Sequence, residues 1–269
     1  MGAETQAPAV VEGPPLGRLL FFDPTDSYVP AGYLPEYLQA SLALVGAAES
    51  SGLVRLPLAP AHGTRRREIK AELKDNGSIS GSFVEEVTGE SFVESVRAWR
   101  ENSREQYARM VERWIGLSIP GAAAEVVEVT EQNGELTRKA RFTSDRFAQR
   151  PQAGMILFRA AVMRDTSARR LAGSVRKYPV MISGDALEET VQIRLPEGYK
   201  VDELPDPVHI ASPFGKYDAK WNANNGSIEF ARTIDLEPQT VPASQYAGLR
   251  HFLDAAYGSS NLPVVLVKK

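Results

Sequence analysis

"RREIKAELKDNGSISGSFVEEVTG", Arg66 to Gly89, is the stretch that sets the fold class. Ile69, Ala71 and Leu73 alternate with polar residues, Asp75-Asn76-Gly77 interrupts them, and Ile79, Gly81 and Phe83 resume the alternation. A period of two sends successive side chains to opposite faces of a strand. Asn-Gly between two such runs supplies the positive φ that a tight hairpin needs. The spacing predicts an antiparallel hairpin with one buried face, ended by Gly89.

The same grammar recurs outward from it. Asn133-Gly134 separates "EVVEVTE" from "LTRKARF", and Asn225-Gly226 sits at the tip of "HIASPFGKYDAKWNANNGSIEFARTIDL". "GMILFRAAVM" and the closing "LPVVLV" read as short buried strands, and "LPEYLQASLALV" as a helical turn followed by an apolar strand. "RLLFF", between Gly17 and Pro24, reads as a short buried strand.

The period changes to a helical one in two places. Phe92, Val96 and Trp99, then Tyr107, Met110, Val111 and Trp114, fall three or four apart, with Ser103 and Gln106 placed as a capping box between them. This predicts two consecutive helices near 91–116, each with one apolar stripe. Core packing accounts for Trp99 and Trp114 at this spacing better than a binding role. Tyr246, Leu249, Phe252, Leu253 and Tyr257 predict a third helix near 244–257. The fold expected is therefore α+β and β-rich: antiparallel, sandwich-like sheets built from hairpins, or one sheet with helices on one side.

Composition narrows the function. The chain has 269 residues, 43% hydrophobic and 24% charged, as in soluble globular proteins. A net charge of −3 offers no basic field for nucleic acid, and no run of about 18 apolar residues is present for membrane insertion. There are no cysteines, which removes disulfides, thiolate metal sites and cysteine nucleophiles. Residues 1–18 show neither the basic start nor the continuous apolar stretch of a signal peptide. "MRDTSARRLAGSVRKYP", Met163 to Pro179, reads as a surface loop, and Arg65, Arg66 and Arg67 as a solvated edge.

The search for chemistry finds no complete active site. His62, His209 and His251 are far apart and lack metal-ligand companions, so neither a metal nor another cofactor is expected. Glu85-Glu86 and Glu188-Glu189 lie in strand patterns, where neighbours point to opposite faces and cannot converge on one atom. Asp23 remains. Held by Pro24 at the end of an apolar run, it fits two roles: the carboxylate that orients a catalytic histidine, or a turn cap bonded to the backbone near Thr25.

"LLFFDPTD" followed by "SYVPAGYLPEYLQASLALV" resembles the end of the core domain of transglutaminase-like proteins. "LPEGYKVDELPDPVHIASPFGKYDAKW", "SQYAGLRHFLDAAY" and "LPVVLVKK" resemble the C-terminal β domain of a bacterial multidomain member of that group. The resemblance implies that residues 1–55 are the tail of an incomplete core domain. Residues 56–269 would be a C-terminal β-rich domain with a helical insertion, dividing into two subdomains near 180. It places Asp23 at the acid position of a Cys-His-Asp triad whose cysteine is absent and whose histidine has no counterpart in residues 1–22. It leaves two readings of the chain, a piece of a longer protein or a naturally short gene product, and implies an exported or periplasmic parent that would transfer acyl groups at amides.

Three functions follow as expectations. The first is a non-catalytic module that supports the upstream core or binds a protein or peptide partner. The second is a carbohydrate-binding β-sandwich that uses Tyr217 and Trp221, four apart on one strand face, as an exposed platform, although packing of both rings against the other sheet accounts for the same spacing better. The third is a residual peptidase or amidase built on Asp23 and a distant histidine.

Overall fold

The computed structural model describes residues 10–13, 17–20, 23–29, 33–46, 51–57, 63–163, 171, 173–182 and 184–269. Residues 1–9, Phe21, Phe22, His62 and, of the basic loop, residues 164–170 and 172 lie outside the described residues. Two short antiparallel ribbons open the chain: β1 (Val10–Gly13) with β2 (Gly17–Leu20), and β3 (Leu42–Gly46) with β4 (Ser51–Arg55). A single 3-10 turn, Glu36–Leu38, precedes β3, as the "LPEYLQASLALV" pattern requires.

The body is an eight-stranded sheet. β5 (Gly63–Leu73) and β6 (Ile79–Val87) form the hairpin read from the opening stretch. Two helices follow, α1 (Gly89–Arg100) and α2 (Arg104–Ser118), then β7 (Ala123–Gln132), β8 (Glu135–Ser144) and β9 (Met155–Arg159). The second half holds β10 (Val180–Ile182), β11 (Asp185–Arg194), β12 (Tyr199–Glu203), β13 (Val208–Ser212), β14 (Gly215–Asn224), β15 (Ser227–Leu236) and β16 (Gln239–Val241). It ends with α3 (Tyr246–Ser259) and β17 (Pro263–Lys268). The large sheet runs β13-β14-β15-β11-β5-β6-β8-β7, and a smaller one runs β12-β17-β9.

Local chemistry explains the elements. Ser103 accepts the Gln106 backbone N–H while the Gln106 side chain accepts the Ser103 N–H, so α2 starts on a complete capping box. Asn133 and Gly134 (φ 52° and 77°), like Asn225 and Gly226 (44° and 78°), hold the paired positive values of a type I′ turn.

The fold class is the β-rich α+β arrangement expected, with one correction to its antiparallel character. β5 and β11 pair in parallel, Gly63 opposite Asp185 through Glu72 opposite Arg194. A hairpin periodicity cannot reveal a parallel joint between distant strands. The joint also carries the large sheet across residue 180 without a break.

One face of the large sheet is buried. Ile69, Phe83, Phe142, Val191, Tyr217 and Phe230 from it share a core with Tyr107, Ile115, Leu249 and Phe252 of the helices and with Ile156, Val264 and Leu266 of the small sheet. The opposite face, bearing Arg66, Glu68, Lys70, Glu72, Thr190 and Gln192, is exposed.

Candidate functional site

Asp23 sits in the Asp-Pro-Thr-Asp turn between β2 and β3, and both oxygens of its carboxylate have donors. Oδ1 accepts the Thr25 backbone N–H at 2.9 Å and the Thr25 hydroxyl at 2.7 Å. Oδ2 accepts the Tyr37 hydroxyl. The Thr25 hydroxyl bond, then Tyr37 and the Thr25 N–H, hold the Asp23 carboxyl below the ordinary aspartate value, because each favours the charged form. The same contact pushes the Tyr37 phenol up. Asp23 thus has the geometry of a turn cap.

The next carboxylate ties that turn to α1. Asp26 Oδ1 accepts the Tyr28 N–H at 3.0 Å, and Oδ2 pairs with Arg97 of α1. The Arg97 guanidinium also lies 5.8 Å over the Tyr28 ring. Val29 packs with Val87, Phe92, Val93, Val96 and Leu136, and the Tyr33 hydroxyl donates to Glu90 at 3.1 Å. The turn is therefore docked on α1 by one ion pair, one ring contact and an apolar cluster.

Beside it stands the β3–β4 ribbon. Leu42 and Leu44 share a face with Leu53, which pairs with Leu44. All three are exposed, Leu44 by 75%. A two-stranded ribbon is marginal alone in water, and an apolar face on one is a surface that gains by being covered.

The described histidines lie elsewhere. His209 Nδ1 is 2.6 Å from Asp218 Oδ1 on the exposed side of β13 and β14, and His251 is exposed on α3. Among the described residues no group of three or more histidine, aspartate or glutamate side chains is placed to hold a metal ion. A concavity of about 680 Å³ on the open sheet face is lined by Lys70, Ser80, Ser82, Arg141, Gln192 and Arg194 among others, with no histidine or aspartate.

Tyr217 and Trp221 do share one face of β14, but it is the buried face, where they are 1% and 5% exposed. Trp221 stacks at 5.1 Å on Phe230, and Tyr217 accepts a hydrogen bond from Ser259 at 2.7 Å. The exposed platform is corrected accordingly: strand alternation placed the rings together, and the packing of the helices and small sheet covers them.

The solvated edge at Arg65, Arg66 and Arg67 is corrected too. Arg66 is on the open face with Glu86 and Glu188, but Arg67 is 2% exposed on the core face. It donates to Glu85 at 2.7 Å and reaches Glu189 at 3.4 Å. Glu85 also pairs with Arg138, and Glu189 lies 3.0 Å from Arg232. Arg232 further donates to the Ser260 hydroxyl and the Met163 carbonyl, both at 2.8 Å. Trp114 receives Arg67 and Arg138 over its ring at 5.3 and 5.1 Å. Burial pushes the Glu85 carboxyl up, but the charges of Arg138, Arg67 and Arg65 and the Arg67 hydrogen bond overcome it, bringing it down to about 2. The three tandem charge pairs were visible in the sequence; which member of each turned inward was not.

This molecule is thus a β-rich α+β module with a docked N-terminal turn. Residues 154–266, from the start of β9 into β17, match a family model described as a domain of unknown function with solved structure, DUF3858. Among solved structures, the crystal structure of a putative protease from Parabacteroides distasonis ATCC 8503 aligns at 20% identity with a TM-score of 0.38, over 43% of this chain and 24% of that one. The chain thus spans about a quarter of that protein's length. No curated protein matches the chain.

Proposed function

We propose that this chain is a non-catalytic module that docks on a partner protein domain through the β3–β4 ribbon, the partner being the transglutaminase-like core that its first residues resemble. The observation that carries the reading is the exposed apolar face formed by Leu42, Leu44 and Leu53 beside a turn anchored to α1. An exposed apolar strip suits docking, because covering it removes apolar surface from water. Asp23 supports a structural role, since both its oxygens already have donors.

The test is calorimetric titration of the full chain against its cognate transglutaminase-like core, on the order of tens of micromolar. Binding by the natural chain and its loss in Leu44→Lys/Leu53→Lys, with unfolding unchanged, is the expected result. No heat of binding with the natural chain sinks the proposal. The peptidase alternative would return only if hydrolysis of a peptide by the chain disappeared on Asp23→Ala.

A further inference from the structure

The buried charges lie in one straight row across the sheet. In register order it reads Ala219 (β14), Arg232 (β15), Glu189 (β11), Arg67 (β5), Glu85 (β6), Arg138 (β8), Val129 (β7). Signs alternate over five adjacent strands, with an apolar residue at each end. Arg232, Glu189, Arg67 and Glu85 are buried, and the Arg138 side chain is 13% exposed.

The strand connections give the row its meaning. Four neighbouring pairs in the sheet are joined by short turns: β5–β6, β7–β8, β13–β14 and β14–β15. A tight turn sets register by itself. Three joints have no such turn: β15–β11, β11–β5 and β6–β8. Each of those three is crossed by a buried ion pair of the row, Arg232–Glu189, Arg67–Glu189 and Arg138–Glu85. Arg67–Glu85 crosses a hairpin and links them into one chain of charges. Beyond β15 and β8, where hairpin turns take over, the row becomes Ala219 and Val129.

Apolar patterning does only part of this work: Gly81 opposite Phe142 fits a small residue to a large ring at the β6–β8 joint, and the rows beside the charges interchange more freely. The flanking rows are Phe230, Val191, Ile69, Phe83 and Ala140 on one side, and Ile234, Leu187, Arg65, Val87 and Leu136 on the other. Sliding a strand by two residues keeps its faces and mostly exchanges one apolar partner for another. The same slide sets Glu85 against Leu136 or Ala140 and leaves Arg138 against an apolar neighbour. An uncompensated buried charge is costly, whereas a satisfied pair contributes little net stability over an apolar one.

We infer that this row is a register lock, which selects the strand alignment at the three joints that no turn controls. It thereby joins the half-sheet β5-β6-β8-β7 to β11-β15-β14-β13, which lies within the family-matched segment, in a single alignment.

The absence of natural cysteines makes the test direct. Ser82 and Arg141 are opposite each other on the open faces of β6 and β8, while Thr143 is offset from Ser82 by two residues. A disulfide tolerates the first spacing and not the second, whose Cα separation is about 7–8 Å. In the natural row, oxidation should bridge Ser82→Cys/Arg141→Cys and leave Ser82→Cys/Thr143→Cys open. With Glu85→Leu and Arg138→Met added, the offset bridge should rise at least about tenfold relative to the natural row. A folded chain lacking the Glu85–Arg138 pair that still bridges only the in-register pair overturns the inference. Should that chain fail to fold, the same comparison in Glu85→Gln decides: offset bridging supports the lock, and exclusive in-register bridging overturns it.

Discussion

Arg67 and Glu189 face each other across the parallel joint of β5 and β11, 3.4 Å apart, with 1% and 0% of their side chains exposed. Neither charge could remain there alone. Arg67 also holds Glu85, and Glu189 also meets Arg232, so removing one member strands its neighbours.

Glu85→Gln should therefore lower the unfolding free energy by about 3–5 kcal/mol at neutral pH, measured by urea denaturation. The pH dependence has a definite sign. Glu85 is held at about 2 in the folded chain against an ordinary 4.5, so its contribution is complete above about 4.5 and lost as pH falls through about 2. The stability gap between natural and Glu85→Gln chains should stay constant down to about pH 4.5 and narrow from there to about pH 2. A gap that widens in acid would contradict the arrangement.

Gly81→Ala should destabilise by about 1–3 kcal/mol. A Cβ at Gly81 would stand 2.6 Å from the Lys70 carbonyl oxygen, 2.8 Å from Phe142 Cζ and 2.9 Å from Ala71 Cβ. Two of those atoms belong to β5 and the third to the packed Phe142 ring of β8, so nothing nearby yields cheaply. Unchanged thermal unfolding would mean that Phe142 moves aside without cost.

Asp23→Asn should bring the Tyr37 phenol back towards its ordinary value, since the hydrogen bond to the Asp23 carboxylate is the main cause of its elevation. Difference absorbance during alkaline titration reads this through the appearance of one tyrosinate at lower pH. No change would mean that Tyr37 does not rest on Asp23 in solution.

Ser103→Ala should cost about 1 kcal/mol through loss of the α2 cap, and Ser103→Asp should recover most of it. Equal destabilisation by both substitutions would show that the hydroxyl matters for something other than the Gln106 N–H.

Much of the fold was legible in the chain because its signals are local. Ile69, Ala71, Leu73, Asn76, Gly77, Ile79 and Phe83 declare the β5–β6 hairpin within about twenty residues. Ser103 and Gln106 do the same for α2. Asp23 was legible as a choice between two roles, and the bonds it makes to Thr25 and Tyr37 are those of a turn cap. Tyr217 and Trp221 were legible as neighbours on one face; alternation left open whether that face was a platform or packed inward, packing was the better account of the spacing, and both rings are buried.

By itself, then, the sequence determined the hairpins, the three helices, the capping box of α2 and the tandem charges at Arg66-Arg67, Glu85-Glu86 and Glu188-Glu189. These depend on interactions between residues close in the chain. Only the tertiary structure decided that β11 lies parallel to β5, and that Arg67, Glu85 and Glu189 turn inward while Arg66, Glu86 and Glu188 face solvent. It alone brought Arg138 and Arg232 into the same row. The reason is that a buried charge acquires a place only when a partner from a distant strand is present to offset its desolvation. Such a partner is a property of the assembled sheet and not of either strand.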